Sequence, residues 1–336
     1  MDNLRRFLFT LSAVVFLALC IGGYVTALKY DPKEIQREPG DPTPLPAVGN
    51  VYDPEKYQYE DLFDGNVLYV LTSSKKQDAV NFLISHYDPT TRALSYLLVP
   101  DTVKAVDHDA GNQVLSLGEY FGKYGGESTA KYLTSMLEID IPCYTVLTYD
   151  TLSELIAQVN SVKCELPYPI QFLDTDTSDI SYSTGINYPQ GTSTISGSSA
   201  VNMIRFIRDT GAHLSSDIVS YYNDADPQEI HSAMSDDFIY YLLKGFTDNS
   251  LISENQDKFK DWFQHFTDSY DTNLKGEHLD GMCHDLGKID RNQVKYYLVT
   301  GKYQYNGDFY VAYNNTLRDL NTGSEIAANE VLDYQF

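Results

Sequence analysis

The feature that most constrains this sequence is an apolar run near its N-terminus, residues 7–28, which contains no charged side chain. At about 1.5 Å per residue, a helix of this length spans the ~30 Å hydrocarbon core of a bilayer. Arg5 and Arg6 precede the run, and basic residues favour the cytoplasmic side of a membrane. The sequence therefore predicts a cytoplasmic end at residues 1–6, a single transmembrane helix, and an extracytoplasmic remainder.

Two other interpretations of this run stay open. A cleaved signal peptide would end at a small-x-small site, which Ala18, Gly22 and Ala27 permit. A lipoprotein signal would place the lipid on Cys20, but Leu19 is larger than the small residue that usually precedes the cysteine. Because the apolar run is longer than the core of a signal peptide, we favour an uncleaved anchor.

Residues 29–58 hold six of the thirteen prolines, so this segment is predicted to be an extended stalk before a folded domain at residues 59–336. That domain is long enough to bury a large core. The whole chain carries a formal net charge of −23. Nucleic acids and anionic membrane surfaces bind basic patches, so this charge argues against both as partners and is compatible with divalent cations.

Three cysteines lie outside the apolar run, namely Cys143, Cys164 and Cys283. Three cannot all pair with one another, and their spacing forms no disulfide framework. We therefore expect buried thiols, while a disulfide between Cys143 and Cys164 stays open as an alternative because sequence alone does not fix the distance between them.

Short apolar runs alternate with helical patterns along the domain. A hairpin is predicted where the turn residues 88–91 separate the strands 81–87 and 93–99. A helix is predicted at 151–162, with Thr151 and Glu154 as a capping box. The other predicted strands are 67–71, 144–148, 294–300 and 309–313, and the other predicted helices are 128–137, 199–209, 227–245 and 259–266. This intermixing predicts an α/β fold in which helices cover a mixed sheet.

Three side chains are candidate ligands for an anion or a metal. Asp101, in the motif Pro100-Asp101-Thr102, follows a buried predicted strand, and ligands of α/β sheets bind at the carboxyl ends of strands. Arg205 and Arg208 are three residues apart on one predicted helix, so they share a face. Two arginines that converge in so acidic a domain suggest a phosphate site. The alternatives are an Asp that caps a turn and arginines that pair with nearby acids.

The motif at residues 284–288, His-Asp-Leu-Gly-Lys, is similar to the core of the HD-type metal phosphohydrolases. Such a site gathers His and Asp ligands from several helices. No histidine follows His284, and residues 294–313 are predicted to form strands rather than helices. We therefore expect no catalytic metal at His284 and Asp285, and this activity is kept only as a third alternative.

Several blocks of the sequence resemble the LytR-CpsA-Psr (LCP) family of bacterial cell-envelope proteins. Residues 78–102 resemble the family's block of an Asp, an apolar strand, a turn and a second strand that ends in Pro-Arg-Asp-Thr, with Asp78 at the first Asp. Residues 116–156 resemble the passage that carries paired glycines, here at 125–126. Residues 195–211 resemble the family's arginine-bearing helix.

The resemblance covers nearly the whole chain and implies a bacterial membrane protein with a three-layer LCP-like domain. Family members transfer glycopolymers from a polyprenyl-pyrophosphate carrier to peptidoglycan or surface proteins. By this resemblance, Arg205 and Arg208 would bind the pyrophosphate and act in catalysis with Asp101. Asp78 and Asp101 would hold Mg²⁺, and an apolar tunnel would take the lipid tail. Phosphoryl transfer depends mainly on positioning and on cation clamps, which suits these roles.

The sequence departs from the family pattern at its cationic residues. The arginine expected between Pro100 and Asp101 is missing, Arg205 and Arg208 are one residue further apart than the usual pair, and residues 231–237 replace an arginine-rich helix start. Loss of one such contact typically costs ~3 kcal/mol or more of transition-state stabilisation. We therefore expect a glycopolymer transferase of reduced activity, or a non-catalytic member that binds a polyprenyl-linked or other envelope ligand.

Overall fold

The computed structural model describes residues 65–336, apart from 74–78, 172–185, 210–213, 224, 252–255, 276–277, 279–280, 283–286, 301, 306–309 and 314–315. The predicted anchor at 7–28 and the predicted stalk at 29–58 lie outside the described residues. Within the described part of the chain, no helix combines the length and the apolar character that crossing a bilayer requires.

The elements are numbered in chain order. The strands are β1 (Val67–Thr72), β2 (Ala79–Asp88), β3 (Ala93–Val99), β4 (Lys104–Asp107), β5 (Gln113–Ser116), β6 (Cys143–Thr148), β7 (Val162–Leu166), β8 (Ile170–Gln171), β9 (Asn187–Tyr188), β10 (Gly191–Ile195), β11 (Val294–Val299), β12 (Lys302–Tyr305), β13 (Tyr310–Tyr313), β14 (Thr316–Asp319) and β15 (Glu325–Ala327). The helices are α1 (Leu117–Leu137), α2 (Tyr149–Gln158), α3 (Gly197–Arg208), α4 (Ser216–Tyr221), α5 (Pro227–Phe246), α6 (Gln256–Thr267) and α7 (Asn329–Gln335).

A 7-stranded sheet forms the centre of the domain, in the order β15-β14-β11-β3-β2-β1-β6. The pairs β1–β6 and β3–β11 are parallel, and the other neighbours are antiparallel. The sheet is therefore mixed, as the sequence predicts, and the predicted hairpin is β2–β3. Because β1, β3, β6 and β11 all run in one direction, their carboxyl ends lie at the same edge of the sheet.

Alternate side chains of the sheet enter two cores on its opposite faces. On one face, Phe82 and Ile84 of β2 pack with Leu133 of α1. On the other face, helices α2, α5 and α6 cover the strands through side chains such as Tyr240 and Trp262. A further apolar cluster joins α3, α4 and α5 to the β7–β10 pair. These faces confirm the predicted three-layer α/β arrangement.

Helix α2 begins two residues earlier than the sequence predicts. Thr148, at the end of β6, is its N-cap and accepts a hydrogen bond from the Thr151 amide at 3.3 Å. The predicted capping box between Thr151 and Glu154 is therefore wrong. The helix also ends earlier, because Asn160 has a φ of 65° and Val162 begins β7, which pairs with β10.

Helix α1 is interrupted at Gly125, whose φ of 76° and ψ of −174° are not helical. The next residue, Gly126, donates its amide to Asp271 Oδ2 at 2.8 Å, while the Tyr144 hydroxyl donates to Asp271 Oδ1 at 2.9 Å. A Cβ atom on Gly126 would lie 2.5 Å from the Tyr144 ring. The paired glycines therefore permit a close contact between the helix, β6 and the segment that follows α6.

That segment runs along the outer side of β6, which is the last strand of the sheet. The Val146 amide donates to the Asp271 carbonyl oxygen at 3.0 Å, and the Asn273 amide donates to the Tyr144 carbonyl oxygen at 3.2 Å. The Thr272 hydroxyl donates to the same Tyr144 carbonyl oxygen at 2.8 Å. Backbone groups on this side of β6 are therefore paired within the chain.

We expect Gly126→Ala to lower the free energy of unfolding by about 1–3 kcal/mol, the usual cost of overpacking, because the Tyr144 ring is held in place by Asp271. Urea unfolding of the purified protein, followed by circular dichroism, measures the change. In a Tyr144→Ala background, where the ring is absent, the same substitution should cost less than about 1 kcal/mol. An equal cost in both backgrounds would contradict this contact.

Candidate functional site

The register of the sheet brings several candidate side chains to one edge. Asp101 follows β3 after Pro100, and Tyr149 follows β6 directly. On the other side of β3, Leu98 pairs with Leu298 of β11, and Leu298 pairs with Arg318 of β14. Ligands of α/β sheets bind at the carboxyl ends of parallel strands, so this edge is the place where a site is expected.

The Arg208 guanidinium lies at the centre of this edge. Its Nη2 donates to Asp101 Oδ2 at 2.7 Å, and its Nη1 donates to the carbonyl oxygen of Val80 at 3.1 Å. The side chain of Arg208 is 30% exposed and that of Asp101 is 19% exposed. The pair is therefore anchored in the fold and still open to a ligand.

Helix α1 supports Asp101 from the other side. The Gly118 amide donates to the Asp101 carbonyl oxygen at 3.1 Å, and a Cβ atom at Gly118 would lie 2.8 Å from the Ala79 carbonyl oxygen. A glycine is therefore needed for the start of α1 to approach β2 and the turn after β3 this closely. Ser116 caps the helix and forms a capping box with Glu119.

The exposed Arg205 lies one turn before Arg208, with its guanidinium carbon 5.4 Å from the centre of the Tyr149 ring. Burial raises the pKa of the Tyr149 hydroxyl, the positive charges of Arg208 and Arg205 lower it, and Asp101 raises it. The structure thus brings the three predicted residues together: Arg208 pairs with Asp101, and Arg205 lies one turn away, over the Tyr149 ring. Sequence reasoning did not identify Tyr149, although its place directly after a strand is a usable signal.

The predicted Mg²⁺ ligands are only partly described. Asp78 lies outside the described residues, and Asp101 shares its carboxylate with Arg208. Among the residues that the structure describes, no group of three or more His, Cys, Asp or Glu side chains could enclose a metal. Magnesium is commonly bound by one or two carboxylates together with substrate phosphates, and the donor chemistry of Asp101 fits that kind of site.

Two neighbouring acids of helix α5 also reach this edge. Asp237 accepts a hydrogen bond from the Tyr222 hydroxyl at 2.9 Å and one from Arg318 Nη2 at 3.2 Å. Burial and the charges of Asp101 and Asp237 raise the pKa of Asp236, while the positive charges of Arg318 and Arg208 oppose the shift, and the net pKa is about 7. Asp236 therefore lies among two acids and two guanidinium groups.

An apolar cavity of about 200 Å³ lies between the sheet and helices α2, α5 and α6. Alternate residues of β2 line it, from Asn81 through Leu83 and Ser85 to Tyr87. At about 3.4 Å per residue, these positions follow the strand for about 20 Å. The remaining lining consists mostly of aliphatic and aromatic side chains.

One end of this cavity adjoins the arginine site. Asn81 lines the cavity, and the preceding residue, Val80, accepts a hydrogen bond from Arg208 through its carbonyl oxygen. Asn81 Nδ2 is buried and has no hydrogen-bond partner in the described part of the chain. Leaving such a donor unpaired costs about 1–3 kcal/mol, so an acceptor at the mouth of the cavity would be favourable.

The remaining candidates from the sequence are the cysteines and the motif at residues 284–288. Cys143 and Cys164 are both buried and free, so the alternative disulfide is not formed. Burial raises the pKa of each thiol, which makes neither a ready nucleophile. His284 and Asp285 lie outside the described residues, so the expectation about them stays a prediction.

The protein is thus of the class of α/β domains in which a cationic site adjoins an apolar cavity. A profile described as the LytR_cpsA_psr family matches residues 72–324. The chain therefore belongs to the LytR-CpsA-Psr family. A comparison with curated proteins gave no match.

Solved structures share the fold at low sequence identity. In the crystal structure of B. subtilis TagV, the sequence is 16% identical to this one. The match covers 74% of this chain and 90% of the TagV chain, with a TM-score of 0.53. The structure of TagT bound to LI-WTA is 12% identical, covers 83% and 91%, and has a TM-score of 0.51. Protein gbs0355 from Streptococcus agalactiae is 15% identical, covers 75% and 82%, and has a TM-score of 0.50.

The acids around Asp236 lead to a prediction about pH. The folded state raises the pKa of Asp236 to about 7, from an ordinary value of 3.8, so it binds more protons than the unfolded state between these values. Stability should therefore fall as the pH rises from about 4 to 7. Asp236→Asn should remove the contribution of Asp236 to this dependence and stabilise the protein above pH 7 by up to about 4 kcal/mol.

Thermal unfolding in metal-free buffer at pH 4.5 and pH 8 measures this effect. The matched control is Asp226→Asn at the exposed N-cap of α5, which should change stability little at either pH because Asn caps a helix about as well as Asp. A stabilisation by Asp236→Asn that is equal at pH 4.5 and pH 8 would contradict the raised pKa.

Proposed function

We propose that this protein is a membrane-anchored glycopolymer transferase of the bacterial cell envelope. Its donor would be a polyprenyl-pyrophosphate-linked glycopolymer, and its acceptor would be peptidoglycan or a surface protein. Residues 7–28 would hold it in the cell membrane, with the domain outside. Family membership supports the class of reaction, and TagT, a relative by fold, has been solved bound to LI-WTA.

The observation that carries this proposal is the meeting of an apolar cavity with a cationic site. A polyprenyl pyrophosphate has a long apolar tail and a strongly anionic head, so its binding site must place an apolar surface next to a cationic one. The cavity along β2 offers apolar walls over about 20 Å. At the Asn81 end, Arg208 offers a guanidinium that binds phosphate oxygens well because its donors form a planar fork.

The chemistry is a phosphoryl transfer. An acceptor hydroxyl oxygen attacks the phosphorus that bears the glycopolymer, and the bond from that phosphorus to the bridging oxygen breaks. Polyprenyl phosphate leaves, and the proton lost by the hydroxyl balances the new negative charge on this leaving group. Arg208 and Arg205 orient the head group and stabilise its negative charge. Asp78 and Asp101 would hold Mg²⁺, which offsets charge on the phosphates when it is bound.

A shortage of cations in helix α5 supports slow turnover. His231 falls in the segment that replaces the family's arginines, and its ring is buried with Nδ1 2.6 Å from the carbonyl oxygen of Ile207. It is therefore not available to a phosphate. The same observation supports the second candidate, a domain that binds a polyprenyl-linked ligand without turning it over.

We expect Arg208→Ala to weaken binding of a polyprenyl pyrophosphate about 10- to 100-fold, since one charge-assisted hydrogen bond contributes roughly 1.5–3 kcal/mol. Isothermal titration calorimetry with the full-length protein in detergent measures this loss. The matched control is Arg291→Ala, an exposed arginine at the opposite end of β11. Equal affinity of wild type and Arg208→Ala would exclude this site.

Release of polyprenyl phosphate from a labelled donor, with peptidoglycan fragments as acceptor, separates the two candidates. A slow release that Arg208→Ala abolishes supports the transferase. Tight binding without any release supports the binding protein.

The cavity makes a second prediction. Leu83→Trp should fill part of the apolar space and weaken binding of a long-chain polyprenyl pyrophosphate at least about tenfold, because the tail loses buried area. Binding of inorganic pyrophosphate should not change. Val114→Trp, at a 40% exposed position of β5, is the size-matched control. If Leu83→Trp and Val114→Trp bind the long-chain lipid equally, the cavity does not hold the tail.

A further inference from the structure

Arg318 lies near the same edge of the sheet as Asp101, although it belongs to β14, which is far from Asp101 along the chain. Its partner across β14 and β11 is Leu298, which in turn pairs with Leu98, three residues before Asp101. Side chains that pair across neighbouring strands point to the same face. Leu98 and Leu298 pack on the face that α5 covers, so Arg318 points toward α5 and the acids of that helix.

The guanidinium of Arg318 is held on one side only. Nη2 donates to Asp237 Oδ1 at 3.2 Å, whereas Nε is buried and has no acceptor in the described part of the chain. An unpaired buried donor on a charged group is costly. The Arg318 side chain as a whole is 36% exposed, against 14% for Asp237, so a ligand can approach it.

A chain of hydrogen bonds fixes the acid that holds Arg318. The Tyr222 hydroxyl donates to Asp237 Oδ2 at 2.9 Å, and the hydroxyls of Tyr222 and Tyr168 lie 2.8 Å apart. Tyr168 is buried in the apolar cluster of α3, α4 and α5. Asp237 therefore has little freedom, and the guanidinium that it holds is positioned in advance of any ligand.

Arg318 and Arg208 both lie beside helix α5. The carbonyl oxygen of Ile207, the residue before Arg208, lies 2.6 Å from Nδ1 of His231 on α5. Arg318 Nη2 donates to Asp237 Oδ1 of the same helix at 3.2 Å. Because His231 and Asp237 are only about 9 Å apart along the helix, the two guanidinium groups approach the same part of the edge from α3 and from β14. Arginines that approach from two elements can bind the two phosphates of a diphosphate, since each planar fork can take the oxygens of one phosphate.

We propose that Arg318 is the second phosphate clamp of this site, opposite Arg208, and that it selects a pyrophosphate over a monophosphate. The inference rests on the proposed function and deepens it, because it assigns recognition of the second phosphate to a residue on β14.

A purely structural role for Arg318 explains less. An ion pair with Asp237 would use Nη2, but it leaves the buried Nε donor unpaired and the outer part of the guanidinium exposed. Partly exposed pairs of this kind contribute only about 0–1 kcal/mol to stability. A phosphate oxygen would bind at the exposed outer part of the guanidinium, and the ion pair with Asp237 would then serve to orient it.

The experiment compares geranyl pyrophosphate with geranyl phosphate, using the full-length protein in detergent and isothermal titration calorimetry. Wild type should bind the pyrophosphate more tightly. Arg318→Met should weaken binding of the pyrophosphate about tenfold or more and leave binding of the monophosphate within about twofold, since only the second phosphate loses its partner. Arg208→Ala should weaken both ligands. Arg291→Met is the matched control and should change neither.

A structural role would lower both affinities together or change only the melting temperature. The single change leaves Asp237 unpaired and could impair folding, so the double variant Arg318→Met/Asp237→Asn, which also removes that acid, is measured beside it. Arg318→Lys, which keeps the positive charge, should restore part of the selectivity. Unchanged selectivity in these variants, with normal binding by wild type, overturns the inference and leaves the proposed function standing. Failure of wild type to bind either lipid overturns the proposed function itself.

Discussion

The double hydrogen bond of Arg208 is the interaction on which the rest of the site depends. One guanidinium joins the last turn of α3 to the Asp101 carboxylate after β3 and to the Val80 carbonyl oxygen in β2. Three elements that are distant in sequence thereby meet at one edge of the sheet. The same contact sets the end of the apolar cavity, because Asn81 follows Val80 and lines it. The arginine site and the cavity are thus adjoining surfaces that could contact a charged head and an apolar tail.

Much of the fold could be predicted from local patterns. The turn at 88–91 between two apolar runs indicated the β2–β3 hairpin, and the position of Asp101 after a strand placed it at the functional edge. The three-residue spacing of Arg205 and Arg208 put both on the side of α3 that faces Asp101 and Tyr149. These inferences succeed because hydrophobic period and helix geometry act over a few residues.

Other parts of the site depend on contacts that no local pattern encodes. Arg318 reaches the edge only because β14 pairs with β11, and β11 with β3, so its place follows from the register of strands about 200 residues apart. Asp236 and Asp237 form an acidic pair within an apolar helix, which is a usable signal, but their partners are set by tertiary packing. The start of α2 was misplaced because Thr148 serves both as the end of β6 and as the cap of the helix.

The segment that follows α6 has a consequence for how copies of this domain can be packed together. A strand at the end of a sheet offers unpaired backbone groups with which another molecule can extend the sheet. Here Asp271 and Asn273 occupy that side of β6, and the strand at the opposite end, β15, is only 3 residues long. Both margins of the sheet are thus closed or short, which protects neighbouring copies from intermolecular β-pairing even at high local density.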